Sequence, residues 1–134
     1  MNPESAHGLT FSTLRALGPL ARGLSQLGCG SADPRLRVEI AGLDWASPIG
    51  LAAGLDKNGV LARFWPSLGF GAVELGTVTA LAQPGNPKPR LFRFPTDGAL
   101  INRMGFNNAG SERLSERLSA FRRACPNGPV PIGI

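Results

Sequence analysis

Three clusters of side chains in this sequence could do chemistry. The first is Ala52-Ala53-Gly54-Leu55-Asp56-Lys57-Asn58-Gly59, where one ammonium follows a run of small residues. Small residues let a flat ligand or a phosphoryl group approach the backbone. Read alone, Lys57 is equally a solvated loop lysine beside an ordinary turn. The second cluster, Glu74-Leu75-Gly76-Thr77-Val78-Thr79, offers a glycine and two hydroxyls. Threonine is also a common strand residue, so this signal is weak by itself. The third, Asn102-Arg103-Met104-Gly105-Phe106-Asn107-Asn108, holds three amides within seven residues. Amides supply donors and acceptors without charge, and backbone N–H groups around Gly105 suit a carboxylate. Asparagines also favour turns, which is the plainer reading of this segment.

Other chemistries are excluded. No Gly-x-Gly-x-x-Gly opens a helix and no Gly-x-x-x-x-Gly-Lys-Ser/Thr occurs, so the nicotinamide and nucleotide phosphate-loop signatures are absent. The single histidine, His7, is far from any Ser or Cys pairing, and such a histidine is more often a packing or surface residue. Cys29 and Cys125 are the only cysteines. Their spacing fits neither a zinc site nor a disulfide scaffold, and two reduced thiols are expected.

The net charge is +5, with 14 Lys and Arg against nine Asp and Glu. That balance suits anionic ligands, phosphates or a membrane surface. The basic residues are scattered; the densest groups are Lys88, Arg90 and Arg93, and the pair Arg122–Arg123. A nucleic-acid footprint is therefore not expected. No apolar run is long enough to cross a bilayer, and Glu4 breaks the layout of a secretory signal. With 134 residues and 43% hydrophobic content, one folded domain is expected rather than a disordered chain.

The elements that must position these clusters follow from local pattern. Asn2-Pro3-Glu4 is a helix start: Asn caps, Pro is pre-set for the first turn, and Glu suits the positive end. Gly18-Pro19 predicts a break, with a second short helix through Leu20, Leu24 and Leu27 ended by Gly28-Cys29-Gly30, and a linker to Pro34. Arg35 to Ile40 alternates with period two and predicts a half-buried strand. Ala41-Gly42 turns it back into Leu43-Asp44-Trp45 as a hairpin. Pro48–Ala53 and Gly71–Gly76 read as strands buried on both faces, with a helix over Leu61–Leu68 between them despite Pro66. Strand–helix–strand order implies a parallel pair with a right-handed crossover. The long connection Thr77–Asn108 contains short strands at Leu91–Phe94 and Ala99–Asn102, and connections this long are usually functional. Ser111 is expected to cap a helix carrying Leu114, Leu118 and Phe121 on one face. Pro131–Ile134 reads as a third buried strand.

Four ordered motifs give these clusters a family. Gly50-Leu51-Ala52-Ala53-Gly54-Leu55-Asp56-Lys57, Glu74-Leu75-Gly76-Thr77-Val78-Thr79, Gln83 through Arg93 and Ile101 through Asn107 resemble the quinone-dependent class of dihydroorotate dehydrogenase. Asn2-Pro3-Glu4-Ser5-Ala6-His7 resembles that family's second N-terminal membrane helix. The resemblance implies an α/β protein: the N-terminal part of a (β/α)8 TIM barrel at 35–134, preceded by a small helical membrane-associated segment at 1–30. It implies flavin mononucleotide (FMN) as cofactor, oxidation of dihydroorotate to orotate in pyrimidine synthesis, and transfer of electrons to ubiquinone. By the same resemblance, Ala53, Gly54, Leu55, Asp56, Lys57 and Thr77 bind the flavin. Lys57, Asn102, Arg103, Met104, Gly105 and Phe106 meet the substrate, and His7 and Arg93 lie near the quinone head. A cation at the pyrimidine end of the flavin would stabilise the reduced anionic ring.

The resemblance also implies a catalytic serine base and a phosphate site beyond residue 134, so this chain is expected to be inactive and poorly stable by itself. No metal is expected. Peripheral contact with the cytoplasmic face of a cell membrane is expected, or with the mitochondrial inner membrane in a eukaryote. Three alternatives stand beside this reading. One is the soluble class, with another electron acceptor and a cysteine base; the amphipathic N-terminus and Arg93 weigh against it. Another is a truncated product without activity. The third is a Schiff-base aldolase using Lys57, against which nothing in the sequence lowers that lysine's pKa.

Overall fold

The computed structural model describes residues 2–28, 33–126 and 130–134. It opens with helix α1 (Pro3–Gly28), followed by the antiparallel hairpin β1 (Val38–Ile40) and β2 (Leu43–Trp45). The hairpin turns at Ala41 and Gly42, both at positive φ (51° and 72°), as a tight two-residue turn requires. Strands β3 (Gly50–Leu51), β4 (Ala72–Glu74) and β7 (Ile132–Gly133) form a parallel sheet in that order. Between β4 and β7 the chain makes a second hairpin, β5 (Leu91–Phe94) with β6 (Ala99–Asn102), and then helix α2 (Ser111–Ala124). The architecture is mixed α/β with a parallel sheet, as expected.

The core lies between the sheet and the two helices. Leu61, Ala62, Phe64, Trp65, Val73, Leu75 and Leu114 form it, and Phe11 and Leu14 of α1 pack against it. Phe11 reaches the Trp65 ring with centroids 5.9 Å apart, anchoring α1 to the core. Helix α2 buries Leu114 and Phe121 and packs the half-buried Leu118 against the same cluster.

Several local expectations are corrected. Helix α1 runs unbroken through Gly18-Pro19 instead of forming two short helices. A proline removes one helical N–H and crowds the residue before it, and Gly18, with no Cβ, relieves the second of these. Cys29, Gly30 and the expected linker to Ala32 lie outside the described residues. The strand expected from Arg35 begins only at Val38, because Asp33 accepts from the Arg35 N–H (3.0 Å) and folds Pro34–Leu36 into a 310 turn. Its alternation does not bury one face: β1 and β2 stay mostly exposed.

The run Pro48–Ala53 is likewise not buried on both faces; β3 is two residues long and Ile49 is 65% exposed. Among the described residues β3 is paired on one side only. Leu61–Leu68 is a series of turns ending in a 310 turn, Trp65–Leu68, not a helix. The Asp56 carboxylate takes the N–H groups of Val60 and Leu61 at 2.8 Å each, holding the chain in a tight loop. Ser111 is the first residue of α2 rather than its cap. Gly110 holds the cap position at φ +86°, where a Cβ would stand 2.9 Å from the Ala82 nitrogen. The Ser111 N–H donates instead to the Thr79 carbonyl at 2.9 Å.

Candidate functional site

The segments after β3 and β4 emerge together at the carboxyl ends of parallel strands, where ligands bind in such sheets. The Gly54 N–H donates to the Gly76 carbonyl at 2.9 Å and ties the two segments side by side. The β5–β6 hairpin brings the third cluster over them. Asn86 holds that cluster at two points: its N–H donates to the Met104 carbonyl (2.9 Å) and its Nδ2 to the Arg103 carbonyl (2.7 Å).

The result is an open groove of about 400 Å³ lined by Ala53, Gly54, Lys57, Thr77 and the run Asn102–Phe106. Three segments far apart in sequence therefore meet on one surface. A second cavity, of about 240 Å³, lies on the other side of Lys57. Its walls include Glu4, His7 and Phe11 of α1, together with Leu55, Leu91 and Asn107. Gly54, Lys57, Asn102 and Met104 line both spaces and form the partition between them.

Lys57 is half-buried and its Nζ donates to Oδ1 of Asn107 at 2.7 Å. Burial lowers its pKa, and the positive charge of Arg90 lowers it further. This corrects the expectation of an unperturbed lysine. Asp56, although adjacent in sequence, turns the other way. It is 1% exposed, and besides the two backbone N–H groups its carboxylate accepts from Trp65 Nε1 at 3.0 Å. Its visible role is to fix the loop that aims Lys57.

On the α1 side, His7 Nε2 donates to the Leu55 carbonyl at 3.0 Å, and the His7 ring stacks on Phe11 with centroids 4.2 Å apart. A carbonyl only accepts, so this contact sets the Nε2–H tautomer. Arg93 is exposed on β5, two residues beyond Leu91, which places it on the same strand face as that cavity-lining residue. Arg103 lines the groove, yet its guanidinium sits 5.7 Å over the Phe92 ring and donates to the Pro89 carbonyl at 3.1 Å.

Sequence reasoning missed the frame that supports these residues. Arg90 is buried, and its guanidinium donates to both carboxylate oxygens of Glu4 (2.7 and 3.3 Å) and to the carbonyls of Pro84 and Asn86 (2.6 and 3.0 Å). The Arg90 hydrogen bonds hold the Glu4 carboxyl below its ordinary pKa, with Lys88 adding to the effect. This ion pair locks the start of α1 to the hairpin. Asn108, the third amide of its cluster, faces inward: Oδ1 accepts from Gly110 N–H (2.9 Å) and Nδ2 donates to the Phe106 carbonyl (2.6 Å). Asn58 accepts from Ala109 N–H at 2.7 Å. A polar residue flanked by turn glycines was the only available signal for these roles, and it does not reveal which way the side chain points. No cluster of metal-ligating side chains occurs among the described residues.

Comparison with known proteins gives a consistent picture. The family model described as dihydroorotate dehydrogenase matches residues 35–134. The dihydroorotate dehydrogenase (quinone) of Mycobacteroides abscessus is 50% identical over 135 residues, covering 99% of this chain and 37% of that protein. The protein of the same name from Acidithiobacillus ferrooxidans is 48% identical, covering 100% of this chain and 36% of its own length. This chain thus spans little more than a third of the relatives it matches. Among solved structures, Eimeria tenella DHODH in complex with ferulenol superposes with a TM-score of 0.80 at 40% identity, covering 98% of this chain and 35% of that one.

Proposed function

As the chain belongs to the dihydroorotate dehydrogenase family, we propose that it forms the flavin- and substrate-facing wall of a quinone-dependent enzyme built on a (β/α)8 barrel. That enzyme oxidises dihydroorotate to orotate, with FMN as cofactor and ubiquinone as electron acceptor. One observation carries the reading: Lys57 stands in the partition between a groove lined by all three chemical clusters and a cavity lined by His7.

The groove suits a flat, hydrogen-bonding ring. Ala53 and Gly54 present almost no side chain, and open space lies where a Cβ on Gly54 would stand. When bound, the flavin supplies a hydride acceptor that releases electrons singly to a quinone. Ala53, Gly54 and Thr77 would hold it by close backbone and hydroxyl contact, while Leu55 lines the His7 cavity and would contribute through its backbone. The Lys57 ammonium holds negative charge on the ring and on the substrate carboxylate, and Asp56 acts by fixing the Lys57 loop. Asn102, Met104, Gly105 and Phe106 orient the substrate. Arg103 contributes through its backbone, since its guanidinium is engaged with Phe92 and Pro89. His7, held by Leu55, and Arg93 receive the quinone head on the far side of the partition. The base of the reaction is assigned to none of these residues.

Helix α1 completes the quinone side as a peripheral membrane contact. Leu9 and Leu20 are 57% and 63% exposed on the face opposite Phe11 and Leu14, and Leu17, 51% exposed, lies on its flank. No helix among the described residues is long and apolar enough to cross a bilayer; the exposed leucines support a contact in which α1 lies along the surface of a cytoplasmic or mitochondrial inner membrane.

The test is a graft in which this chain replaces the matching third of the Mycobacteroides abscessus relative. The chimera is expected to purify with flavin absorbance and to oxidise dihydroorotate with a quinone acceptor. A folded but colourless chimera overturns the reading.

A further inference from the structure

A third cavity, of about 300 Å³, lies between α1, the loop after Lys57 and α2. Arg15 of α1, Arg63 of the loop and Arg117 of α2 converge on it, over a floor that includes Val60, Ala120 and Phe121. No carboxylate lines it. Among the described residues Arg15 and Arg63 make neither an ion pair nor a side-chain hydrogen bond. Arg117 is half-buried and oriented, because its Nη1 donates to the Asn58 carbonyl at 2.9 Å. The nearby Glu116 is engaged with Arg113 at 3.3 Å.

Arg15 and Arg63 are exposed and Arg117 is half-buried, so three like charges share one half-enclosed space, an arrangement that favours a bound counter-charge. A guanidinium is a planar fork that matches phosphate oxygens two at a time, and fork pairs are among the stronger polar contacts. We propose that this cavity binds a phosphate group, the common chemistry of a soluble phosphate ester and of an anionic lipid headgroup. The site is separate from the flavin groove, since none of the three arginines lines that groove. It adjoins the His7 cavity at Val60, which lines both.

The chain is titrated with inorganic phosphate by calorimetry. It is also floated with vesicles of phosphatidylglycerol in phosphatidylcholine, against phosphatidylcholine alone. Arg15→Gln and Arg63→Gln are each expected to weaken binding about ten-fold, while Arg113→Gln, which removes the same charge elsewhere on α2, changes it less than about two-fold. Phosphate binding lost with the cavity arginines assigns the site to a soluble ester. Vesicle binding alone lost with them assigns it to a headgroup. Absence of binding to both probes, or an equal loss in Arg113→Gln, overturns the proposal. The unsubstituted chain supplies an independent readout in case a variant fails to fold. Phosphate is expected to shift the side-chain Nε–H NMR signals of Arg15, Arg63 and Arg117, and unmoved signals overturn the proposal.

Discussion

The Lys57 ammonium and the Asn107 amide meet at 2.7 Å although fifty positions separate them in sequence. Their hydrogen bond joins the segment after β3 to the segment after β6 and aims the one ammonium of the site along the partition between two cavities. In the grafted enzyme, Lys57→Ala is expected to slow flavin reduction by dihydroorotate about 100-fold or more, the loss typical of one preorganised electrostatic contact. Asn107→Ala leaves the ammonium present but unaimed, and a loss of about ten-fold is expected, matching one hydrogen bond to a charged group. Stopped-flow bleaching of the flavin measures both. Equal rates in Lys57→Ala and the unsubstituted protein would remove Lys57 from the site.

The Glu4–Arg90 pair gives the hold of α1 a pH dependence. Arg90 and Lys88 keep the folded-state Glu4 carboxyl below its ordinary value of 4.5. The unfolded chain therefore takes up the proton first as pH falls. The stabilisation is complete above 4.5 and is lost as pH drops through the lowered folded value. Glu4→Gln is expected to flatten this acid limb in urea melts taken from neutral pH downward. An unchanged limb would show that the pair carries no linkage.

Asp56 is the one buried carboxylate among the described residues. It accepts from Val60 N–H, Leu61 N–H and Trp65 Nε1–H at 2.8, 2.8 and 3.0 Å. Asp56→Ala leaves three donors without an acceptor in a buried loop, and a loss of about 3 kcal/mol or more is expected. Chemical denaturation followed by tryptophan fluorescence reads it directly. A loss below about 0.5 kcal/mol, the ordinary range for a surface change, would contradict the assigned role.

The outer leucines of α1 make a separable prediction. Leu9 is 57% exposed and lies across the helix from Phe11 and Leu14, so Leu9→Glu is expected to leave the fold intact. It should reduce flotation with anionic vesicles about ten-fold, the effect of losing roughly one buried leucine's transfer energy. Circular dichroism checks the fold. Undiminished flotation with an intact fold would show that α1 does not lie on the membrane.

Much of the fold was legible because it rests on neighbours in the chain. Alternation and turn residues located the β1–β2 hairpin, and β5 and β6 fall at the expected short strands Leu91–Phe94 and Ala99–Asn102, whose pairing as a hairpin only the structure shows. Apolar spacing located α2, and small residues beside one lysine marked the groove. Three kinds of feature needed the tertiary structure. The continuity of α1 through Gly18-Pro19 overrides proline's local propensity, with Gly18 relieving the crowding on the preceding residue. The 310 turn at Trp65–Leu68 replaced an expected helix: Pro66 has no N–H for a helical ladder, and packing of Trp65 in the core fixes a single tight turn there. The direction of each polar side chain was also hidden. Asp56 and Lys57 are adjacent in sequence, yet one is sealed in the core and the other stands between two cavities. Composition and spacing fix which residues are available along the chain. Which of them meet, as Glu4 meets Arg90 across 86 positions, is decided by packing that closes contacts no local pattern encodes.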